Sequence, residues 1–224
     1  MKTIVLATSN KNKLREIAAV FEKHAPGEYR LLSAAECGFT DEIVEDADSF
    51  EGNAYKKAAA VAKATGLLSM ADDSGLEVDY LDGRPGVHSA RYAGEGATAD
   101  MLIAKLLKEL EGIDGDKRTA RFITVMCAID GTSGYRGQES GDEEKGRILY
   151  SRGVCEGLIL TGPHGEGGFG YDPVFYYPPL KKTFAQLEKD EKNAASHRGK
   201  AVLQMIKLLK ELRIPILTNL PYKC

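Results

Sequence analysis

The first third of the chain alternates short apolar runs with helical patterns, and this alternation constrains the fold more than any other feature. Residues 2–8 (KTIVLAT) are typical of a buried strand. A helix is predicted from about Asn12 to Pro26-Gly27, because apolar residues recur at the spacing i, i+3, i+4 and i+7. Those residues are Leu14, Ile17, Ala18 and Phe21. Strands that alternate with helices are typical of an α/β protein.

The alternation continues along the chain. Residues 29–33 are predicted to form a second strand. Ser49 can cap a helix that runs to about Thr65, where Gly66 ends it. Residues 67–71 (LLSMA) resemble a further short buried strand, which we expect to end at an acidic turn.

The second half of the chain contains the remaining elements. Residues 81–97 are rich in glycine and are expected to form a long loop, and Thr98 can cap the helix that follows. Residues 120–129 (ARFITVMCAI) are apolar on both faces, which suits a central strand. The other elements are strands at 147–157 and 174–178 and a last helix from about Asn193 that buries Val202, Met205, Ile206 and Leu209.

These elements predict a mixed α/β fold. A chain of 224 residues is long enough for one large domain or for two lobes that share a core. No internal repeat or linker divides the sequence. We therefore expect a single domain over residues 1–224, with a smaller second lobe formed by the middle of the chain.

Charge and cysteine content exclude several classes of protein. With 30 basic and 33 acidic residues the formal net charge is -3, whereas a general nucleic-acid-binding protein needs an excess of Lys and Arg. The cysteines form no CxxC pair, so a zinc site is not expected and a reducing compartment fits best. They are Cys37, Cys127, Cys155 and Cys224. The apolar run after Lys2 is too short for a signal peptide or a membrane span, so we expect a cytoplasmic protein without nucleic acid or membrane partners.

The segment from Thr8 to Lys13 (TSNKNK) joins the first predicted strand to the first helix, which is where ligands bind in open α/β sheets. Backbone N–H groups and the helix dipole favour an anion there. Thr8 and Asn10 can donate hydrogen bonds to phosphate oxygens, and Lys13 adds positive charge. The segment lacks the glycines of a Walker loop, so a capped helix start with solvated lysines is the alternative.

Two neighbouring carboxylates, Asp72 and Asp73, follow the strand predicted at 67–71. Because side chains alternate between the faces of a strand, one carboxylate should enter the site while the other turns away. A carboxylate in the site can hold a magnesium ion, activate a water molecule, or do both. Ser74 can donate to a phosphate or sugar oxygen. The alternative is an ordinary acidic turn.

An acidic stretch at 40–48 contains Glu42 and Glu45. Magnesium prefers oxygen ligands and usually binds one or two carboxylates together with several waters. A glutamate from this stretch and an aspartate from 72–75 would form such a site. The alternative is a solvated acidic loop.

Two further motifs lie late in the chain. The glycines of 167–173 (GGFGYDP) let the backbone approach a flat ligand, and Phe169 can stack on a purine. Lys192 and Arg198 place cationic donors at a predicted helix start, beside His197, which can donate to a purine carbonyl oxygen. The alternatives are a tight turn with Phe169 in the core and a basic helix start at the surface.

Six segments occur in one order along residues 1–212. They are ATSNKNKLRE (7–16), SFEGNAYKKA (49–58), ADDSGLEVD (71–79), PGVHSARYAG (85–94), GGFGYDPVF (167–175) and EKNAASHRG (191–199). In sequence and order they resemble the inosine triphosphate pyrophosphatase family. Each segment is weakly specific by itself, but six in the family's order are highly specific.

The resemblance implies a fold and an activity. The fold is an elongated mixed β-sheet with flanking helices, two lobes around a central cleft, and usually a homodimer. The activity is the Mg2+-dependent hydrolysis of non-standard purine nucleoside triphosphates (ITP, dITP, XTP) to the monophosphate and pyrophosphate. Asp73 resembles the catalytic carboxylate that also meets the metal. Glu42 resembles the second metal ligand, with Glu45 as a close competitor.

The resemblance also implies substrate contacts. The triphosphate-binding loop is formed by Thr8, Ser9, Asn10, Lys11, Asn12 and Lys13. The other positions that resemble substrate contacts are Lys57, Ser74, Phe169, Gly170, Tyr171, Asp172, Lys192, His197 and Arg198. The family usually has glycine where this chain has Ser9, but a serine can still offer its N–H. The acidic stretch at 131–146 is longer than usual for the family and lies outside every motif.

Three other functions fit the sequence less well. A nucleotide-binding regulator would keep the loop and the purine site but lose the acid, so Asp72 and Asp73 argue against it. A related pyrophosphatase for modified pyrimidine nucleotides fits the FGYDP and SHR segments less well. A nucleic-acid-binding module is disfavoured by the net charge.

Overall fold

The computed structural model describes residues 1–131 and 148–211. Within these ranges, seven strands form one sheet in the order β2-β1-β3-β4-β5-β6-β7. The strands are β1 (Lys2–Leu6), β2 (Tyr29–Ser33), β3 (Leu68–Val78), β4 (Thr119–Asp130), β5 (Ile148–Ile159), β6 (Phe175–Tyr177) and β7 (Lys182–Thr183). β1 pairs in parallel with β2 and β3, while β6 pairs antiparallel with β5 and β7. The predicted mixed α/β fold is confirmed.

Local capping signals set the ends of the helices. The helices are α1 (Lys11–His24), α2 (Phe50–Thr65), α3 (Ala99–Glu109), α4 (Lys189–Ala195) and α5 (His197–Glu211). Ser49 and Thr98 accept backbone N–H groups at the starts of α2 and α3, as predicted. Gly66 ends α2 with a φ of 66°, a left-handed conformation that glycine adopts without strain.

The prediction of which residues form the apolar face of α1 was partly wrong. Ile17 and Phe21 are buried, but Ala18 is exposed and Val20 takes its place in the core. The four apolar residues predicted on the last helix are all buried, as expected.

β3 is longer than its sequence indicated. We expected the strand to stop before Asp72-Asp73, whereas it continues to Val78. Charged residues in a central strand are costly unless each has a partner. Here lysines provide those partners, so the strand continues through both carboxylates.

The last predicted helix is replaced by two helices in the structure, α4 and α5. A short helix, α4, ends at Ala195, and Ser196 adopts an extended conformation before α5 begins. The Ser196 hydroxyl oxygen accepts the N–H of Gly199 at 3.1 Å, which caps the first turn of α5. A single helix from about Asn193 was therefore a wrong prediction, although Ser196 carried the capping signal.

The contacts divide the chain into two compact units. The first comprises Met1–Asp73, Val125–Arg152 and Ala201–Cys224, and the second comprises Ser74–Thr124 and Gly153–Lys200. The expected single domain over 1–224 stays a prediction. None of the described helices is long and apolar enough to cross a membrane.

In the first unit, helices bury both faces of β1 and β3. Leu6 and Met70 pack in a cluster with residues of α1 and α5. Val5 and Ala71 pack in another cluster with residues of α2. Successive residues of both strands thus face opposite helices, as a period of two requires.

The second unit has its own core. Leu76 and Val78 of β3 pack with Leu106 of α3 and with Phe175 and Phe184. The acidic stretch at 131–146 lies outside the described residues except for Gly131, and the tail NLPYKC lies outside them as well.

Candidate active site

The carboxyl end of β1 is the first place where predicted site residues meet. Leu6 pairs with Met70 of β3, and the Ala7 N–H donates to the Met70 carbonyl at 2.8 Å. The loop after β1 therefore starts beside the part of β3 that carries Asp72. β1 lies between β2 and β3, and ligands of open α/β sheets bind where the strand order reverses in this way.

The loop Thr8 to Lys13 is organised by its own side chains. The Asn10 carboxamide oxygen accepts the N–H groups of Asn12 at 2.9 Å and Lys13 at 3.3 Å, so Asn10 caps α1. The Thr8 hydroxyl oxygen accepts the N–H of Asn10. Ser9 is exposed, as are residues 10–12, and the first turn of α1 contains no acidic residue. The loop is therefore accessible to an anion.

Asp72 and Asp73 point to opposite faces of β3. Asp72 Oδ2 lies 3.0 Å from Nζ of Lys13, on the side of α1. Asp73 lies on the side of α2, where its Oδ2 accepts a hydrogen bond from Asn53 at 3.1 Å and its Oδ1 lies 3.4 Å from Nζ of Lys57. The predicted alternation of the two carboxylates is confirmed.

Lys57 joins Asp73 to the acidic loop. Its ammonium lies 2.6 Å from the Glu45 carboxylate. Burial raises the pKa of the Asp73 carboxyl above its ordinary value, although Lys57 and Lys13 oppose the shift. For Lys57, burial disfavours the charge, but the carboxylates of Asp73, Asp72 and Glu45 raise its pKa above the ordinary value. Lys57 is thus held as a cation, and three carboxylates face two ammonium groups.

The donor set around Lys57 suits a divalent cation. The carboxylates of Asp73 and Glu45 both contact the same ammonium, so their oxygens converge on one positive centre. Glu42 is exposed, and no hydrogen bond or ion pair between described residues joins it to Asp73. No group of three or more potential metal ligands occurs among the described residues. Two carboxylates are enough for magnesium, which completes its shell with water and substrate phosphates.

A second group of predicted residues surrounds Phe169. Nζ of Lys192 lies 4.7 Å from the centre of the Phe169 ring, and Cζ of Arg198 lies 5.6 Å from it. Asp172 accepts the N–H of Phe169 at 2.7 Å and pairs with Lys192 at 2.7 Å. Gly168 has a φ of 76°, and a Cβ there would meet Asp172. The loop is therefore fixed by Asp172, with the ring held beside two cations.

His197 and Tyr171 are buried beside this group. The His197 imidazole stacks on Phe122, with ring centres 4.7 Å apart and an angle of 16° between the planes. The Tyr171 hydroxyl donates to the Ser89 carbonyl at 2.9 Å. Burial raises the pKa of Tyr171, so its hydroxyl remains neutral and holds the loop in place.

Two residues that contact the predicted site residues, Asn53 and Phe122, were not identified from the sequence. Asn53, which orients Asp73, lies four residues before Lys57, and residues at that spacing share one face of a helix. The pattern could therefore have identified Asn53. Phe122 gave no such signal, because it lies in an apolar strand where any residue is expected to be core.

Gly199 at the start of α5 has no room for a side chain. A Cβ at this position would lie 1.8 Å from the backbone carbonyl oxygen of Asn193. Because a backbone carbonyl cannot swing aside as a flexible side chain can, we expect Gly199→Ala to lower the free energy of unfolding by about 3 kcal/mol. Urea denaturation of purified protein measures this change.

Gly162→Ala is the matched control for this prediction. No atom lies within 4 Å of a Cβ at Gly162, and its φ is outside the left-handed range. We expect a change below about 0.5 kcal/mol there. Equal denaturation midpoints for the two variants would contradict the packing argument.

Comparison with known proteins places the chain among pyrophosphatase relatives. Residues 4–208 match the model of the Ham1 family. The chain is 48% identical over 212 residues to a dITP/XTP pyrophosphatase of Desulforamulus reducens, which covers 94% of this chain and 97% of that protein. It is 46% identical over 210 residues to a dITP/XTP pyrophosphatase of Bacillus subtilis, with 94% and 98% covered.

Solved structures agree with the fold. A HAM1 protein from Coxiella burnetii matches with a TM-score of 0.80 at 39% identity, covering 94% of this chain and 100% of that chain. The Ham1 protein of Staphylococcus aureus matches with a TM-score of 0.77 at 36% identity, covering 94% and 99%. The mixed β-sheet with flanking helices that the sequence resemblance implied is thus confirmed.

Proposed function

Because the chain belongs to the Ham1 family, we propose that it hydrolyses non-standard purine nucleoside triphosphates such as ITP, dITP and XTP to the monophosphate and pyrophosphate. The relatives described above are named dITP/XTP pyrophosphatases, and the match covers nearly their whole length. The observation that carries the proposal is the buried carboxylate of Asp73, oriented by Asn53 and placed against the Lys57 ammonium. Such a carboxylate suits general-base chemistry next to an anionic substrate.

The triphosphate is assigned to the loop after β1 and to Lys57. Lys13 and Lys57 supply positive charge, and the N-terminus of α1 adds the positive end of the helix dipole. Because the Asn10 carboxamide oxygen already accepts two N–H groups, its nitrogen is the group that can donate to a phosphate oxygen.

Asp73 is assigned the proton transfer. The hydrogen bond from Asn53 to Oδ2 holds the carboxylate in one orientation, with Oδ1 toward Lys57. Oδ1 orients a water molecule and takes its proton as the water oxygen attacks the α-phosphorus. The bond between the α-phosphorus and the bridging oxygen breaks, and pyrophosphate leaves with that oxygen.

Asp73 and Glu45 are the residues that we assign to a magnesium ion. When bound, the ion would supply positive charge that stabilises the phosphate oxygens in the transition state. Glu45 is preferred to Glu42 because its carboxylate and that of Asp73 contact the same ammonium.

The purine base is assigned to the group around Phe169. The ring can stack on a base, and the nearby side chains of Lys192, His197 and Arg198 are hydrogen-bond donors. The bases of ITP and XTP carry a 6-oxo group that accepts such bonds, whereas adenine carries an amine. Bound adenine would leave buried donors without partners, which discriminates strongly against ATP.

The remaining parts of the proposal come from the family resemblance. They are magnesium as the physiological metal, a homodimeric assembly, and a cytoplasmic location without nucleic acid partners.

The activity is tested with a panel of nucleotides. We expect the purified protein with Mg2+ to release pyrophosphate from ITP, dITP and XTP much faster than from GTP or ATP. Pyrophosphate and free phosphate are measured separately, because only the former reports cleavage between the α- and β-phosphates. Release of single phosphates, or of nothing from any nucleotide, would contradict the proposed reaction.

A further inference from the structure

Thr124 is joined through Ser74 to Arg198, one of the residues assigned to the base, but is too deeply buried to touch a ligand itself. Its side chain is in β4 and is 0% exposed. The Thr124 hydroxyl donates to Oγ of Ser74 in the neighbouring strand β3, at 3.0 Å. Any contribution of this hydroxyl to substrate binding must therefore pass through Ser74.

Ser74 connects Thr124 to Arg198. Nη2 of Arg198 donates to the same Ser74 Oγ at 3.1 Å. A hydroxyl oxygen has two acceptor lone pairs, so it can accept from Thr124 and Arg198 together. The two strands and the start of α5 are thereby joined by one continuous set of hydrogen bonds.

Thr124 is well suited to hold that set in one geometry. A β-branched side chain is restricted at χ1, and complete burial removes water as a competing partner. Arg198 by contrast has a long side chain, and its guanidinium is useful for recognition only when it points in a defined direction.

Phe122 is on the same strand as Thr124 and contacts His197, the residue that precedes Arg198. It precedes Thr124 by two positions, so both side chains lie on one face of β4. Phe122 stacks on His197, while Thr124 reaches Arg198 through Ser74. The start of α5 would keep its stacking contact if the Thr124 hydroxyl were removed.

We propose that Thr124 is a positioning residue for purine recognition, because its buried hydroxyl fixes Ser74 and Ser74 fixes the direction of the Arg198 guanidinium. The inference rests on the proposed function, in which Arg198 donates to the base. It assigns part of the selectivity for the base to a fully buried residue that does not contact the substrate.

Kinetics of two substitutions at Thr124 test the proposal. Thr124→Val keeps the shape but removes the hydroxyl, and Thr124→Ser keeps the hydroxyl but removes a methyl group. For Thr124→Val we expect a KM for ITP about tenfold higher, a kcat within about threefold, and a smaller ratio of kcat/KM between ITP and ATP. Thr124→Ser should keep the KM and the selectivity of the unmodified protein.

Thr119→Val is the matched control on the same strand. Its hydroxyl donates to the Asp79 carboxylate at 2.6 Å, in an exposed network away from Ser74. The chemical change is identical, so we expect its KM and selectivity to be unchanged. An equal rise in KM for Thr119→Val would show a general effect on the strand and would overturn the proposal.

The Arg198 side chain gives a readout that needs no substrate. Its Nε–H resonance is assigned by comparison with Arg198→Lys, and its hydrogen-exchange rate is measured by NMR. We expect exchange at least several-fold faster in Thr124→Val, with no change in Thr124→Ser or Thr119→Val. If the protein hydrolyses no nucleotide, the proposed function fails while this measurement still decides whether Thr124 holds Arg198.

Three further outcomes would overturn the positioning role. The first is unchanged KM and selectivity in a folded Thr124→Val variant. The second is an equal loss in Thr124→Ser, which would assign the effect to packing of the methyl group. The third is unchanged Arg198 exchange. If Thr124→Val does not fold, Thr124→Ala provides the variant without a hydroxyl and is compared with Thr124→Ser by the same measurements.

Discussion

Asp73→Asn is expected to lower kcat for ITP hydrolysis by about three orders of magnitude or more. The substitution preserves the shape of the side chain but removes the carboxylate to which we assign the proton transfer from water. It also removes one of the two carboxylates assigned to the metal, so both contributions are lost together. Steady-state release of pyrophosphate at saturating ITP measures the change.

The fold should survive this substitution. A carboxamide oxygen can still accept the hydrogen bond from Asn53, and Lys57 keeps its contact with Glu45. Circular dichroism and thermal unfolding check this directly. Asp114→Asn is the matched control, because that carboxylate is exposed and pairs with a neighbouring lysine on the surface. A folded Asp73→Asn variant with near-normal kcat would show that another group activates the water.

Lys192→Met is expected to have the second large effect, in this case on stability. Lys192 and Asp172 are both buried, and their charged atoms lie 2.7 Å apart. Removing the ammonium leaves the Asp172 carboxylate in a buried environment without that cation. Such a change costs about 3–5 kcal/mol, because the charge remains desolvated. Urea denaturation measures the free energy of unfolding.

Two further variants separate this mechanism from a general loss of packing. Lys182→Met removes a lysine from a half-exposed pair with Glu191, and such pairs contribute below about 1 kcal/mol. Adding Asp172→Asn to Lys192→Met should restore part of the stability, because the carboxylate left buried by the first substitution is then removed. If the double variant is less stable than Lys192→Met by the full cost of a second substitution, the two residues do not act as a pair.

Lys192→Met should also weaken the binding of ITP, because Lys192 is paired with Asp172. Asp172 also accepts the N–H of Phe169, so it fixes the ring that we assign to the base. We expect the KM for ITP to rise in conditions where the variant remains folded. Lys182→Met should not change KM.

The helix ends show where local sequence is sufficient. Ser49, Gly66 and Thr98 act within a few residues of their own position, by accepting a nearby N–H or by adopting a left-handed conformation. The second strand was predicted at its observed bounds. The core positions of α5 followed from the helical period alone.

The course of β3 shows where local sequence is misleading. Asp, Ser and Gly favour turns, and 72–75 contains all of these residues. The strand continues because Lys13 and Lys57 arrive from two helices and compensate the buried charges. Those lysines are 59 and 16 residues away from the carboxylates that they contact, so no local pattern could report them.

The sequence by itself determined the mixed α/β class, the family resemblance, the helix caps and the alternation of Asp72 and Asp73, because these depend on short-range periodicity and on motif order. Only the tertiary structure decided which acidic residue shares a cation with Asp73, which residues Phe122 and Thr124 contact, and why no side chain fits at position 199. Glu42 and Glu45 cannot be distinguished by the local sequence of the acidic stretch. Glu45 is identified only because Lys57 of α2 contacts both Glu45 and Asp73 in the folded chain. Contacts of that kind depend on distances across the fold, which the order of residues does not contain.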